Sequence, residues 1–148
     1  MAVDSGPVSV SVSAVPALQA ALAAEDAAIF GYGVAGAHLS GSGKSAAEQD
    51  WTGHNEARDT LTAMISALGA TPVSAQAYYR LPFAVTNAAS AVKLAAYLED
   101  GVTRAYLGLV AVSGQKWRTF GALAMQASAQ RAAFWRGTTQ AFPGLQAP

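Results

Sequence analysis

Four ionisable side chains stand at positions where the helical pattern of this sequence calls for core residues. They are Glu25, Arg58, Glu99 and Arg131, and each recurs with apolar neighbours at spacings of three or four residues. A charge buried in a protein core needs an opposite charge or a metal ion beside it. The sequence therefore predicts a charged cluster inside the molecule, built around ion pairs or around a metal.

A two-metal centre is the first chemistry to consider. In four-helix bundles such a centre takes a lone Glu from each of two helices and a Glu-x-x-His motif from each of the other two. Glu25 and Glu99 suit the lone glutamates. The partner motifs are missing, because Leu61 follows Arg58 at that spacing and no Asp, Glu or His follows Asp100. Since all four helices must supply ligands, we expect no bound metal and no cofactor.

Ion pairs are the expected replacement. If the first helical hairpin turns at residues 42–43, Glu25 lies opposite Arg58, within ~3 Å along the helix axis. The matching placement of the second turn sets Glu99 opposite Arg131. Two carboxylates and two guanidinium groups then balance without a metal, as burial of charge demands.

His54 lies one helical turn before Arg58 on the same predicted face. A hydrogen-bonded structural histidine is the first interpretation. A metal ligand or a proton-transfer group is the alternative. In that case Glu25, His54 and Glu99 would form a depleted metal site, and the protein would be a metal-dependent oxidoreductase or an iron-handling protein of the ferritin class.

Two helices that would position these residues are predicted between residues 16 and 69. Pro16 suits a first helical turn. The inward positions that follow are Leu18, Leu22, Glu25, Ile29, Tyr32, Gly36 and Leu39. We expect residues 40–44 to break this helix, a capping box at residues 45–48 to start the next one, and Gly69 to end it. Its inward positions are Ala47, Trp51, His54, Arg58, Leu61, Ile65 and Leu68.

A second pair of helices is predicted between residues 86 and 137. Thr86 or Asn87 caps the third helix, Gly114 marks a short turn, and Gly137 ends the fourth. The third helix buries Ala88, Val92, Ala95, Glu99, Val102, Tyr106 and Leu109, and the fourth buries Phe120, Ala124, Ala127, Arg131 and Phe134.

The segment of residues 70–86 joins the two hairpins. It contains Pro72 and Pro82 and has no helical period, and loops of this length need a topological reason. A crossover from one end of the bundle to the other supplies one. The predicted fold is therefore all-α, a ferritin-like four-helix bundle of two antiparallel hairpins with parallel second and third helices. A plain up-and-down bundle is the structural rival.

Composition excludes several classes of protein. The 148 residues suit one domain, with 52% hydrophobic and 12% charged residues and a formal net charge of zero. No basic stripe is present for nucleic acid, and the absence of cysteine excludes disulfides and thiolate chemistry. We expect a flexible arm at residues 1–15, the bundle at 16–137 and a tail at 138–148.

Membrane insertion is not expected either. The uncharged stretches 5–24 and 60–79 reach spanning length, but Pro16 interrupts the first, and Gly69 and Pro72 break the second. The N-terminus carries no Lys or Arg that would mark a signal peptide. These features predict a cytoplasmic protein.

Several segments resemble a known family. They are residues 54–59, residues 79–85, the pair at 98–99, and Arg131 with residues 134–136. Together they resemble a bacterial ferritin-like family still called a domain of unknown function, over roughly residues 18–137. The resemblance implies the ferritin-like fold and no established activity.

These observations favour a metal-free bundle that acts as a binding or self-association module rather than as an enzyme. We expect a homo-oligomer, most simply a dimer, with no nucleic-acid or membrane partner. Four aromatic residues near the crossover or a helix end are candidates for an exposed contact patch or for covers of the open end of the bundle, namely Tyr78, Tyr79, Phe83 and Trp135.

Overall fold

The computed structural model describes residues 13–112 and 114–139, together with Pro143 and Leu145. These residues form four helices, which are α1 (Val15–Ala37), α2 (Gly41–Ala67), α3 (Ala88–Val110) and α4 (Gln115–Arg136). No strand occurs among them, so the described chain is an all-α four-helix bundle. Most of the predicted arm and tail lies outside the described residues.

The segment between α2 and α3 runs along α1 from end to end. Near the start of α1, the amide of Gln19 donates to the Thr71 carbonyl at 2.7 Å. Further along, the ring centroids of Phe30 and Tyr78 lie 5.5 Å apart. Close to the end of α1, Leu81, Phe83 and Val85 pack against the buried cluster that contains Ala35, Ala91 and Leu94. Because α3 thus starts at the same end of the bundle as α2, these helices run parallel. The predicted crossover is confirmed, and the up-and-down alternative is wrong.

Local signals set most helix ends. The Asn87 side chain accepts from the Ser90 backbone amide, and the Ser90 hydroxyl accepts from the Asn87 backbone amide. Together they form a complete capping box at the start of α3. Gly69 and Gly137 both have φ of +79°, a conformation that glycine adopts without a side-chain clash, and they end α2 and α4 as predicted. The expected capping box at residues 45–48 is wrong, because α2 already begins at Gly41.

Tight contact between α3 and α4 determines which face of α4 is buried. A Cβ atom on Gly121 would lie 3.2 Å from the Tyr106 carbonyl oxygen, so only glycine permits this approach without a shift. The buried residues of α4 are Gly121, Ser128, Ala132 and Trp135. The predicted inward position of Phe134 is wrong, since its side chain is 66% exposed, and that of Trp135 is 6% exposed.

The apolar core lies where α1 packs against α2 and α3. Its largest fully buried apolar side chains are Tyr32, Tyr106, Leu18, Leu22, Leu61, Ile65, Leu94 and Leu109. Trp51 and Leu68, both predicted to face inward, are 43% and 47% exposed instead. Within the described part of the chain, no helix is both long enough and apolar enough to cross a bilayer.

Candidate functional site: a buried charge network

One buried imidazole joins two buried glutamates at the centre of the bundle. Glu25 on α1, His54 on α2 and Glu99 on α3 are each at most 1% exposed. His54 Nδ1 lies 2.5 Å from Glu25 Oε2, and His54 Nε2 lies 2.8 Å from Glu99 Oε1. Both ring nitrogens are therefore engaged by carboxylates, and three helices are tied together at one level.

Two tyrosines donate hydrogen bonds to the two buried glutamates in a symmetric way. Tyr106 donates to Glu25 Oε1 at 2.6 Å, and Tyr32 donates to Glu99 Oε1 at 2.6 Å. Each tyrosine lies two helical turns after the glutamate of its own helix and binds the glutamate of the other helix. This exchange follows from the antiparallel packing of α1 and α3. Burial raises the pKa of both phenols, and the neighbouring carboxylates raise it further, so both stay protonated donors.

Arg131 adds a second cation from α4. Its Nε donates to Glu99 Oε1 at 2.9 Å, and its Nη2 donates to Ser128 Oγ at 3.2 Å. Burial alone would lower the pKa of the guanidinium, but Glu99 more than offsets it and the pKa is raised. The structure thus brings Glu99 and Arg131 together, as the sequence reasoning expected.

Arg58 does not take its expected place beside Glu25. Its side chain is 36% exposed and pairs with Asp59 at 2.9 Å. The turn between α1 and α2 lies at residues 38–40, earlier than predicted, because the glycine-rich run belongs to α2. That shift in register sets His54 opposite Glu25. Arg58 instead acts on the buried Asp26, where burial raises the carboxyl pKa and the Arg58 charge opposes the rise.

The protonation state of His54 decides whether the network is balanced. Burial lowers the pKa of His54, but its hydrogen bonds to Glu25 and Glu99 and their charges outweigh burial and raise the pKa to about 9. At neutral pH the ring is an imidazolium that donates to both carboxylates. Burial also works to raise the pKa of Glu99, yet His54 and Arg131 hold it below its usual value. Glu25 and Glu99 thus face two cations, His54 and Arg131.

Asp50 and Trp135 extend the network towards solvent, and neither was predicted to belong to it. The indole nitrogen of Trp135 donates to Asp50 Oδ2 at 2.8 Å, and the Tyr32 hydroxyl lies 3.2 Å from the same oxygen. Trp135 is buried, so of its two predicted roles the exposed contact patch is wrong for this residue. Asp50 lies one helical turn before His54, and that spacing was the available signal for it.

A groove between α2 and α4 opens beside these residues. It has a volume of about 390 Å³ and is lined by residues that include Ala46, Asp50, Ala127, Gln130, Arg131 and Phe134. Asp50 is half-buried there, and burial raises its pKa above the usual value, against the hydrogen bond from Trp135. A series of polar contacts therefore leads from the groove through Asp50, Tyr32 and Glu99 to the central imidazole.

The residues present do not fit a two-metal centre. No group of three or more His, Asp or Glu side chains within the described ranges is arranged to hold a metal ion. Glu25, His54 and Glu99 lie in a row in which each imidazole nitrogen faces a carboxylate, so they do not converge on a point. The Arg131 guanidinium on Glu99 further opposes a divalent cation. Among the buried side-chain nitrogen and oxygen atoms of the described residues, only Glu99 Oε2 lacks a hydrogen-bond partner.

The fold and this network define an all-α bundle with a buried hydrogen-bonded charge cluster. The chain belongs to the family described as a domain of unknown function (DUF4439), whose profile matches residues 17–147. It is also similar to a conserved hypothetical protein from Mycobacterium tuberculosis with a solved crystal structure, at 33% identity and a TM-score of 0.81. That similarity covers 84% of this chain and 95% of the other. No curated protein gives a significant match.

Proposed function

We propose that this protein is a metal-free ferritin-like bundle that acts by binding, and that its own cations stand where related bundles hold metals. The observation that carries the proposal is the engagement of both His54 ring nitrogens by Glu25 and Glu99. The imidazolium and the Arg131 guanidinium supply positive charge that a metal pair would otherwise supply. Because these cations are covalently part of the chain, the core needs no ion to be stable.

The topology supports the ferritin-like interpretation. Two hairpins joined by a long crossover, with α2 parallel to α3, form the arrangement found in that class. The same sequence offset separates Glu25 from Glu99 and His54 from Ser128, all of them buried. Equivalent positions of the two hairpins thus carry the same carboxylate on α1 and α3, but His on α2 and Ser on α4. Loss of the second imidazole is consistent with loss of metal binding.

A binding role fits the surface better than catalysis does. Each oxygen of the central carboxylates has a fixed hydrogen-bond partner, apart from Glu99 Oε2. Among the described residues that line the groove, no nucleophile stands beside a base. Two large apolar side chains on α4, Leu123 and Phe134, are 63% and 66% exposed. These two residues are eleven positions apart and so lie on one face of α4, and an exposed apolar face is typical of contact surfaces. We therefore propose that the chain self-associates through α4 into a dimer.

One observation favours the alternative, a depleted metal site at Glu25, His54 and Glu99. Glu99 Oε2 is buried and has no partner in the described chain, and such an oxygen is ordinarily satisfied by a water or an ion. For a metal to bind there, His54 would have to lose a proton and turn one nitrogen away from a carboxylate. The raised pKa of His54 opposes that step.

Elemental analysis separates the two functions. Protein purified from cells grown with added iron, manganese and zinc is expected to contain only a small fraction of one ion per chain. An Arg131→Met variant tests whether the guanidinium is what excludes a metal. Its removal should permit metal uptake only if Glu99 can act as a ligand. One ion or more per wild-type chain, lost in Glu25→Ala, would establish the depleted metal site instead.

A further inference from the structure

Asp50 is the third carboxylate of a network that holds two cations, and the Arg131 charge acts on it without a direct ion pair. Glu25 and Glu99 are balanced by His54 and Arg131, whose contacts are 2.9 Å or shorter. The Tyr32 hydroxyl has one proton, and its 2.6 Å contact directs that proton to Glu99 rather than to Asp50 at 3.2 Å. Asp50 Oδ2 therefore accepts one short hydrogen bond, from the Trp135 indole, and makes only a longer contact with Tyr32.

The surroundings of Asp50 form a place for a ligand. The hydrogen bonds described for Asp50 are both on Oδ2, and its side chain lines the groove between α2 and α4. Ala46, Ala127 and the ring of Phe134 give this groove apolar walls. Arg131 also borders it, but that guanidinium is already committed to Glu99 and Ser128.

We propose that this groove binds a small organic cation, a protonated primary amine carried on a short apolar body. The ammonium group binds Asp50 and supplies the missing positive charge, and the apolar body packs against Ala46 and Ala127. A half-buried carboxylate favours such a partner because desolvation strengthens its attraction to a cation. The proposal rests on the binding role proposed above and names the chemistry of the ligand.

Other ligand types fit the groove less well. A divalent metal needs several oxygen ligands and favours carboxylates, whereas the groove offers one carboxylate beside the neutral amides of Gln49 and Gln130 and the cation Arg131. An anion would meet Asp50 directly, whereas Arg131 is neutralised by Glu99. A neutral molecule would leave the charge of Asp50 unbalanced in a partly desolvated site.

The test uses 2-phenylethylamine as the probe and 2-phenylethanol as its neutral counterpart of similar shape. The reporter is the indole N–H signal of Trp135 in a nitrogen-15 NMR spectrum, assigned by its loss in Trp135→Phe. The amine is expected to shift this signal in a saturable way and to bind at least about tenfold tighter than the alcohol, or about 1.4 kcal/mol. Asp50→Asn should weaken amine binding about tenfold and leave alcohol binding unchanged. Glu56→Gln, which removes an exposed carboxylate from the same helix, should change neither.

Three results would overturn the proposal. The first is equal binding of the amine and the alcohol, and the second is unchanged amine binding in Asp50→Asn. The third uses 3-phenylpropionate as an anionic probe and would be tighter binding of this anion than of the amine. If Asp50→Asn does not fold, the comparison of the three probes on the wild-type chain still decides. Metal analysis answers a separate question. If the purified protein contains no metal but does not bind the amine, only the proposed ligand groove is contradicted. If the protein binds the amine but contains a metal, only the proposed metal-free core is contradicted.

Discussion

The hydroxyl of Tyr106 donates a 2.6 Å hydrogen bond to Glu25, which lies 81 residues earlier in the chain. The equivalent bond from Tyr32 to Glu99 spans 67 residues. Both bonds connect α1 with α3, and they flank the buried charge network on its two sides. They give this core a polar specificity that apolar packing alone does not provide.

Removal of the Tyr106 hydroxyl should destabilise the fold. Tyr106→Phe keeps the packing of the ring but leaves Glu25 Oε1 without its donor, which typically costs about 1–3 kcal/mol. Urea denaturation measures the change in the free energy of unfolding. Tyr97→Phe is the matched control on α3, because its ring is 53% exposed, and it should have little effect. Equal effects of the two variants would mean that the Tyr106–Glu25 bond contributes nothing.

Glu99 and Arg131 should be energetically coupled. Glu99→Leu strands two cations in the core and should cost roughly 3–5 kcal/mol, as loss of one partner of a buried pair does. Arg131→Met added to Glu99→Leu should restore part of this loss but not all, because His54 still lacks one acceptor. A double-mutant cycle in urea should give a coupling energy of about 0.5–3 kcal/mol. Arg118→Met replaces an exposed arginine of α4 and should show no coupling to Glu99. If the effects of Glu99→Leu and Arg131→Met on the free energy of unfolding simply add, the two residues are not coupled and the ion pair is refuted.

Stability should fall at alkaline pH because of His54. Its pKa is raised from 6.5 to about 9 in the folded chain, so the folded state holds this proton more tightly than the unfolded state. The resulting stabilisation is complete below pH 6.5 and is lost as pH rises through about 9. Between these values the free energy of unfolding should decrease by at most about 1.4 kcal/mol per pH unit. His54→Gln should flatten this slope, and His38→Gln, at the exposed end of α1, should not. A slope that persists in His54→Gln would assign it to other groups.

Self-association should depend on the exposed face of α4. Sedimentation velocity at increasing protein concentration is expected to show a dimer for the wild type and a monomer when Leu123 and Phe134 are both changed to Ser. Tyr78→Ser on the crossover is the control, since Tyr78 is 66% exposed but lies beside α1. A wild-type monomer at all concentrations, or a dimer that survives the α4 changes, would contradict this interface.

The sequence allowed the helices and their topology to be predicted because those depend on local signals. Asn87, Gly69 and Gly137 are end signals whose chemistry is independent of the rest of the fold. Length and prolines likewise made the crossover predictable. The glycine-rich run was misjudged because glycine is a poor helix former, yet residues 41–45, which are mostly exposed, form the first turn of α2.

Details of the site depended on register and rotation, which one sequence does not specify. An earlier turn exchanged Arg58 for His54 as the partner of Glu25. The close approach at Gly121 rotated α4, so that Trp135 faces the core and Phe134 faces solvent. Asp50 entered the network through that buried indole, and its role therefore required the three-dimensional packing of α2 and α4.

The most direct test of the central claim is the protonation state of the His54 ring at pH 7.5, read from its two nitrogen-15 signals in the folded protein. If the core carboxylates are balanced by cations of the chain itself, both ring nitrogens carry protons. They then show the similar chemical shifts of an imidazolium, as expected for a pKa of about 9. These signals should also be unchanged by added zinc or ferrous iron. A neutral ring with one unprotonated nitrogen, or a nitrogen signal moved by metal coordination, would contradict the account.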